Sequence, residues 1–210
     1  KGVRIAVLDG GFIEADEHPA FKTLRDNQQI IKTWNFVQNK ENVYNGHYHG
    51  RMVLSCLAGI MNDSTMLGLA TGAQYLLART EVNVERKKEE VWWVAALEWA
   101  DQNGADIISS SLGYGKERYN PKDMTGEKSM ISKAANTAAR KGILVINAMG
   151  NEGDDEAWKV LIAPADADSI LSVGAVTSLE RLASYSSFGP TADGRMKPNV
   201  VACGHDMVAD

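Results

Sequence analysis

Short apolar runs alternate with stretches of helical periodicity along these 210 residues, and the alternation predicts most of the elements. The runs Val3 to Leu8, Tyr75 to Ala78, Asp106 to Ser109, Ile143 to Asn147 and Ile170 to Val176 are short and rich in Val, Ile, Leu and Ala. Such runs read as strands buried on both faces. Ile131, Ala134, Ala135 and Ala138 recur at helical spacing, with Ser129 as N-cap, Arg140 and Lys141 near the end and Gly142 as the stop. A helix over Glu89 to Gln102 is apolar almost all round, so it should pack between sheet and neighbours with Trp92, Trp93 and Trp99 as core. A further helix opens at His49 and runs through Met52, Val53, Leu54, Cys56, Leu57 and Ile60, mostly buried. Strands and helices in this alternation predict an α/β fold, a mostly parallel sheet covered by helices on both faces. No internal repeat, low-complexity tract or linker interrupts the chain, and the segment between Leu112 and Ser129 is the main irregular insertion. A single domain over residues 1–210 is expected.

Composition narrows the possible functions. The net charge is -5, with Lys and Arg scattered, which excludes the basic footprint of nucleic-acid or anionic-membrane binding. The longest apolar stretch, near Val91 to Ala100, is too short to span a bilayer. The acidic run from Glu152 to Glu156 reads as a solvated loop. Cys56 and Cys203 permit at most one disulfide and read as buried free thiols. The chain opens at Lys1, without Met and almost directly in a strand, and shows no signal peptide, as expected of a trimmed mature form.

The chemistry starts where the first strand ends, the edge at which an open α/β sheet places its functional groups. Asp9 closes RIAVLDGG, and Gly10 and Gly11 leave room for its carboxylate to approach backbone and an imidazole. His49 begins its helix, where the dipole disfavours imidazolium and keeps a general base available near neutral pH, while a carboxylate such as Asp9 works against that shift. Asn151, in LVINAMGNEG after another strand, offers an amide that can donate to an oxyanion. Taken singly, these residues also read as a turn-capping Asp, a surface His and a turn Asn. Two other chemistries are weaker. A metal held by His47, His49 and Asp9 lacks a further ligand cluster, and a nucleotide site lacks both G-x-G-x-x-G and a Walker loop.

Together these motifs resemble the subtilisin-like (S8, subtilase) serine endopeptidases over nearly the whole chain, in their Asp, His, Asn order. GLATGAQYLLART resembles the family's strand approach, with Thr71 where proline is usual. ADIISSSLGYG resembles the substrate-strand motif, which implies that Ser111, Leu112 and Gly113 pair with an extended peptide. Ala148, Met149 and Gly150 are then implied as the lining of the specificity pocket. SYSSFGP and KPNVVACG resemble the segments leading toward the nucleophile, with Cys203 where proline is common. APADADSILSVGAV resembles the segment with a family cis-proline, which makes Ala163-Pro164 a candidate cis bond. HGRMVLS and DMTGEKSMISKAAN look most like a divergent bacterial branch.

The resemblance implies peptide-bond hydrolysis through an acyl-enzyme, with Asp9, His49 and Asn151 as catalytic residues and no cofactor required. Structural calcium is compatible with it at no assigned site. The implied partners are a polypeptide substrate and a propeptide or C-terminal segment, and the implied location is extracytoplasmic or secreted. Two departures stand out. Arg51-Met52 replaces the family's Thr-His after His49-Gly50, which does not touch the triad. No Gly-Thr-Ser motif occurs in these residues: Ser111 and Ser187 belong to other motifs and Ser129 caps a helix. Truncation before the nucleophile is the expected cause, so the 210 residues should be inactive alone and should expose apolar surface. The alternative is a catalytically dead, protease-like peptide-binding module.

Overall fold

The computed structural model describes residues 2–61, 65–84 and 86–204, in two compact units that divide after Ser109. In the first unit the order is β1 (Arg4–Asp9), α1 (Lys22–Asp26), β2 (Ile30–Asn35), α2 (His49–Ala58), β3 (Gln74–Arg79), α3 (Lys88–Gln102) and β4 (Ile107–Ser110). Its strands lie in the order β2-β3-β1-β4. β3 pairs in parallel with β1 on one side and β2 on the other, a register that puts Asp9 and Asn35 on either side of Arg79.

Alternation along the strands distributes the core. Ile5 and Val7 of β1 and Tyr75 and Leu77 of β3 join Phe12, Phe21, Leu24 and Val43, together with Leu54 and Ala58 of α2, in one buried cluster. The intervening Ala6, Leu8, Leu76 and Ala78 are fully buried on the opposite face, and α3 packs on both strands. Because successive side chains of a strand point to opposite faces, a continuous apolar run such as IAVL requires cover on both.

In the second unit α4 (Met130–Arg140) precedes β5 (Leu144–Ala148), β6 (Leu171–Val176) and β7 (Val200–Cys203), which pair in parallel in the order β5-β6-β7. α4 packs on β5 through a face that buries Ile131, Ala135 and Ala138. Ser129 caps it, its Oγ accepting from the Ser132 N–H at 3.0 Å. Asp166 is buried beneath that cap, where it accepts from Ser132 Oγ (2.5 Å) and the Gly126 N–H (2.7 Å). Burial pushes the Asp166 carboxyl up, opposed by those hydrogen bonds. Ala163-Pro164 is cis, as anticipated, and so are Gly189-Pro190 and Lys197-Pro198.

The chain is thus a mostly parallel α/β fold of seven strands with covering helices. Several expectations need correction. β2 and β7 have no counterpart in the apolar runs, because Lys32 and Thr33 interrupt the apolar residues of the mostly half-buried β2 and β7 is exposed along its whole length. Of the three tryptophans only Trp93 is fully buried. Trp92 lies beneath Lys88 Nζ, 5.5 Å from the ring centroid, and Trp99 meets Phe36 edge-on at 6.1 Å. The cysteines form no disulfide, and Cys56 is half-buried and Cys203 exposed rather than buried. The helix from His49 ends at Ala58 because Gly59 adopts an extended conformation. Among the described residues no helix is long and apolar enough to cross a membrane.

Candidate active site

Asp9 and His49, 40 residues apart in sequence, meet in the first unit. His49 Nδ1 lies 2.9 Å from each carboxylate oxygen of Asp9, which is fully buried and also accepts from the Gly10 N–H at 2.7 Å. A carboxylate facing Nδ1 selects the tautomer that donates from Nδ1 and leaves Nε2 a bare acceptor. Nε2 makes no hydrogen bond among the described residues, and the His49 side chain is 43% exposed, so this nitrogen is open to an incoming proton donor.

The surrounding loop explains why the pair forms. His47 Nδ1 accepts the His49 N–H at 3.1 Å, and the His47 ring stacks on Tyr48 with centroids 4.4 Å apart. The His47 N–H donates to the Gly10 carbonyl at 3.2 Å, tying this loop to the end of β1. Gly50 is buried against Asp9: a Cβ added there would lie 2.9 Å from Asp9 Cβ and would also collide with the Gly11 carbonyl. Gly11 has φ +144, and a Cβ there would meet the His47 nitrogen at 2.7 Å. Gly11 and Gly50 therefore allow the close approach of β1 to the start of α2.

The Asp9 hydrogen bond holds the His49 imidazole above its ordinary value of 6.5, opposed by burial and aided by the charges of Asp9 and Glu81. The Asp9 bond outweighs the burial that favours the neutral ring. In the sign of the linkage, the pair stabilises the fold fully below pH 6.5, and that contribution is lost as pH rises through the folded-state value. The exposure of the imidazole keeps that contribution small. In an NMR titration, the His49 ring should show a midpoint above 6.5, and Asp9→Asn should bring it down, since burial remains while the charge and its bond are lost. An unchanged midpoint in Asp9→Asn would count against this account.

In the second unit the predicted wall segments are brought together by a buried amide. Asn147 Nδ2 donates to the Leu112 carbonyl (3.0 Å) and the Ala148 carbonyl (2.9 Å). Tyr114 and Ala163 exchange backbone bonds at 2.8 and 3.1 Å, and the Ile162 N–H donates to the Met149 carbonyl at 3.1 Å. Ser111-Leu112-Gly113 and Ala148-Met149-Gly150 are thus neighbours around residues 162–163. Asn151 is exposed in the loop that follows, and that loop is held from behind. Ser187 Oγ accepts the Glu152 N–H (3.0 Å), the Ser187 N–H donates to the Gly150 carbonyl (3.0 Å), and the Gly153 N–H donates to the Tyr185 carbonyl (2.9 Å). Ser187 therefore serves the Asn151 loop as a hydrogen-bonding brace.

The first unit thus holds a buried carboxylate bonded to a half-exposed imidazole, and the subtilase family model matches residues 1–209. The chain belongs to the subtilase family. Subtilisin NAT of Bacillus subtilis subsp. natto is 31% identical over 194 residues, 92% of this chain and 46% of that protein. The major intracellular serine protease of Bacillus subtilis (strain 168) is 30% identical over 200 residues, 92% of this chain and 57% of that protein. Among solved structures, the prenylagaramide maturation protease PagA shares the fold, with a TM-score of 0.73 and 24% identity over 99% of this chain and 65% of that one. The chain spans about half the length of these two sequence relatives. Kinship does not set the compartment, since one of them is named as intracellular.

In this subtilase chain, sequence reasoning missed Arg79. It is 7% exposed at the end of β3, its Nε donates to the Gly10 carbonyl at 3.1 Å, and its guanidinium also bonds Asn45 Oδ1. Burial pulls its guanidinium down. It joins the end of β1 to the loop that leads into His49. A lone cation closing the buried run YLLAR was the available signal. Among the described residues no group of three or more His, Cys, Asp or Glu is placed to hold a metal ion.

Proposed function

We propose that the natural protein to which this chain belongs is a serine endopeptidase that cleaves polypeptides through an acyl-enzyme. The observation that carries the reading is the bond between His49 Nδ1 and the buried Asp9 carboxylate, which leaves Nε2 aimed outward as a base. A serine hydroxyl attacks the peptide carbonyl and gives its proton to Nε2, and the electron pair of the C=O bond moves onto oxygen. Collapse of that oxyanion breaks the C–N bond, the proton passes from Nε2 to the leaving amine, and water hydrolyses the ester by the same route. Asp9 stabilises the imidazolium, and the Asn151 amide donates to the oxyanion. The substrate joins the Ser111-Leu112-Gly113 backbone as an added strand, with Ala148, Met149 and Gly150 alongside its side chain. Gly113 supports this, because neither its N–H nor its carbonyl makes a backbone bond among the described residues. No cofactor takes part in these steps.

A serine-directed phosphonate tests the reading. The full natural chain should be labelled at one serine, and Asn151→Ala should slow labelling by roughly 10² to 10³-fold, the usual loss for one oxyanion donor. The 210 residues alone, which contain no Gly-Thr-Ser, should not be labelled. Failure to label the full natural chain would leave the peptide-binding alternative.

A further inference from the structure

Three adjacent strands end in polar residues at one level of the sheet: Asn35 of β2, Arg79 of β3 and Asp9 of β1 stand side by side in register. The dyad uses only Asp9. Asn35 is fully buried and donates from Nδ2 to the Asn42 carbonyl (3.0 Å) and to Asn45 Oδ1 (3.3 Å). Asn45 Oδ1 also accepts from Arg79 Nη1, so both strands grip the loop that leads into α2. The Gly10 carbonyl is a second meeting point, accepting from Arg79 Nε at 3.1 Å and from the His47 N–H at 3.2 Å. The Gly10 N–H donates to Asp9, and His47 Nδ1 accepts the His49 N–H. One guanidinium therefore bonds both the residue that follows Asp9 and the loop that precedes His49. The contact is close enough to require glycine: Gly46 has φ +90, and a Cβ there would lie 2.5 Å from Arg79 Nε and Cζ.

We propose that Arg79 is a positioning residue for the reaction, holding His49 against Asp9 through the Gly10 carbonyl and the Asn45 side chain. The proposal takes the role of His49 from the endopeptidase reading, and Arg79 acts only through these neighbours. Burying a cation to 7% exposure costs far more than burying an apolar side chain, so packing alone does not account for it. Charge-assisted bonds from a planar fork fix direction as well as distance. A lysine carries the same charge as a point, without the fork, and can keep one bond but not the paired geometry. Once the fork is lost, the Gly10 carbonyl and the Asn45 loop have no common anchor, and the start of α2 shifts relative to β1. A shift near 1 Å costs on the order of 10² in rate.

The experiment compares the full natural chain with Arg79→Met and Arg79→Lys, reading kcat and KM on a peptide substrate, the His49 midpoint by NMR and thermal unfolding. Arg79→Met should lower kcat by roughly 10²-fold with KM little changed. Arg79→Lys should recover part of that loss. The His49 midpoint should fall toward 6.5 in Arg79→Met as the Asp9 bond lengthens. Removal of a nearby cation alone would raise the midpoint, so the direction separates positioning from charge. Asn45→Ala removes one of the two anchors and should move kcat and midpoint the same way to a smaller extent, and it decides the question if neither Arg79 variant folds. A full natural chain that cleaves no peptide would refute the endopeptidase reading, while the midpoints would still decide the role of Arg79. A midpoint that stays or rises in a folded variant, or a loss confined to KM or to melting temperature, would overturn the proposal.

Discussion

Replacing His49 by Ala in the full natural chain is expected to lower kcat by roughly 10⁶-fold with little change in KM, a magnitude taken from subtilisin, a member of the same family. The geometry indicates why nothing nearby replaces it. Its Nδ1 is anchored by the buried Asp9, which leaves Nε2 as the free acceptor that the proposed mechanism uses. His47, the neighbouring imidazole, has its Nδ1 occupied by the His49 N–H and its ring stacked on Tyr48. The loss should appear in single-turnover acylation and in phosphonate labelling, and binding of product peptides should persist. A variant retaining activity within tenfold of wild type would remove His49 from the mechanism.

Gly50→Ala should also be costly, though less so and for a different reason. The new methyl would lie 2.9 Å from Asp9 Cβ and 3.0 Å from Asp9 Cγ while pressing on the Gly11 carbonyl. None of these atoms can move freely: Asp9 is fully buried at the end of β1, and Gly11 approaches His47 too closely to admit a Cβ of its own. Overpacking of this kind destabilises by about 1–3 kcal/mol. Relief by displacing the start of α2 separates His49 from Asp9, and a misplacement near 1 Å costs on the order of 10² in rate. Thermal unfolding should report the first effect and kcat the second. The His49 titration midpoint should fall toward 6.5 as the Asp9 bond lengthens. A variant with wild-type melting, rate and midpoint would show that this contact is not tight.

The aliphatic strands and the dyad were legible because their signals are local. IAVL and YLLA are continuous apolar runs, Asp9 ends one strand, and His49 opens a helix of recognisable period. Ser129 could be read as a cap because capping involves residues three apart. β2 escaped notice because Lys32 and Thr33 break its apolar pattern. The burial of the tryptophans was overestimated, since helical periodicity reports apolar character and not which face a neighbour covers. Arg79 was overlooked because its partners, Gly10 and Asn45, lie 69 and 34 residues away.

The sequence by itself determined that this protein is an α/β subtilase carrying Asp9, His49 and Asn151 at the ends of secondary-structure elements, since periodicity, caps and short motifs depend on residues close in the chain. Tertiary structure decided how those residues are held. The alignment of Asn35, Arg79 and Asp9 and the pinning of the His49 loop by Arg79 both depend on distant segments that strand pairing and loop bonds bring within contact. Contacts of that kind follow from the register of the whole fold, and no local pattern records them.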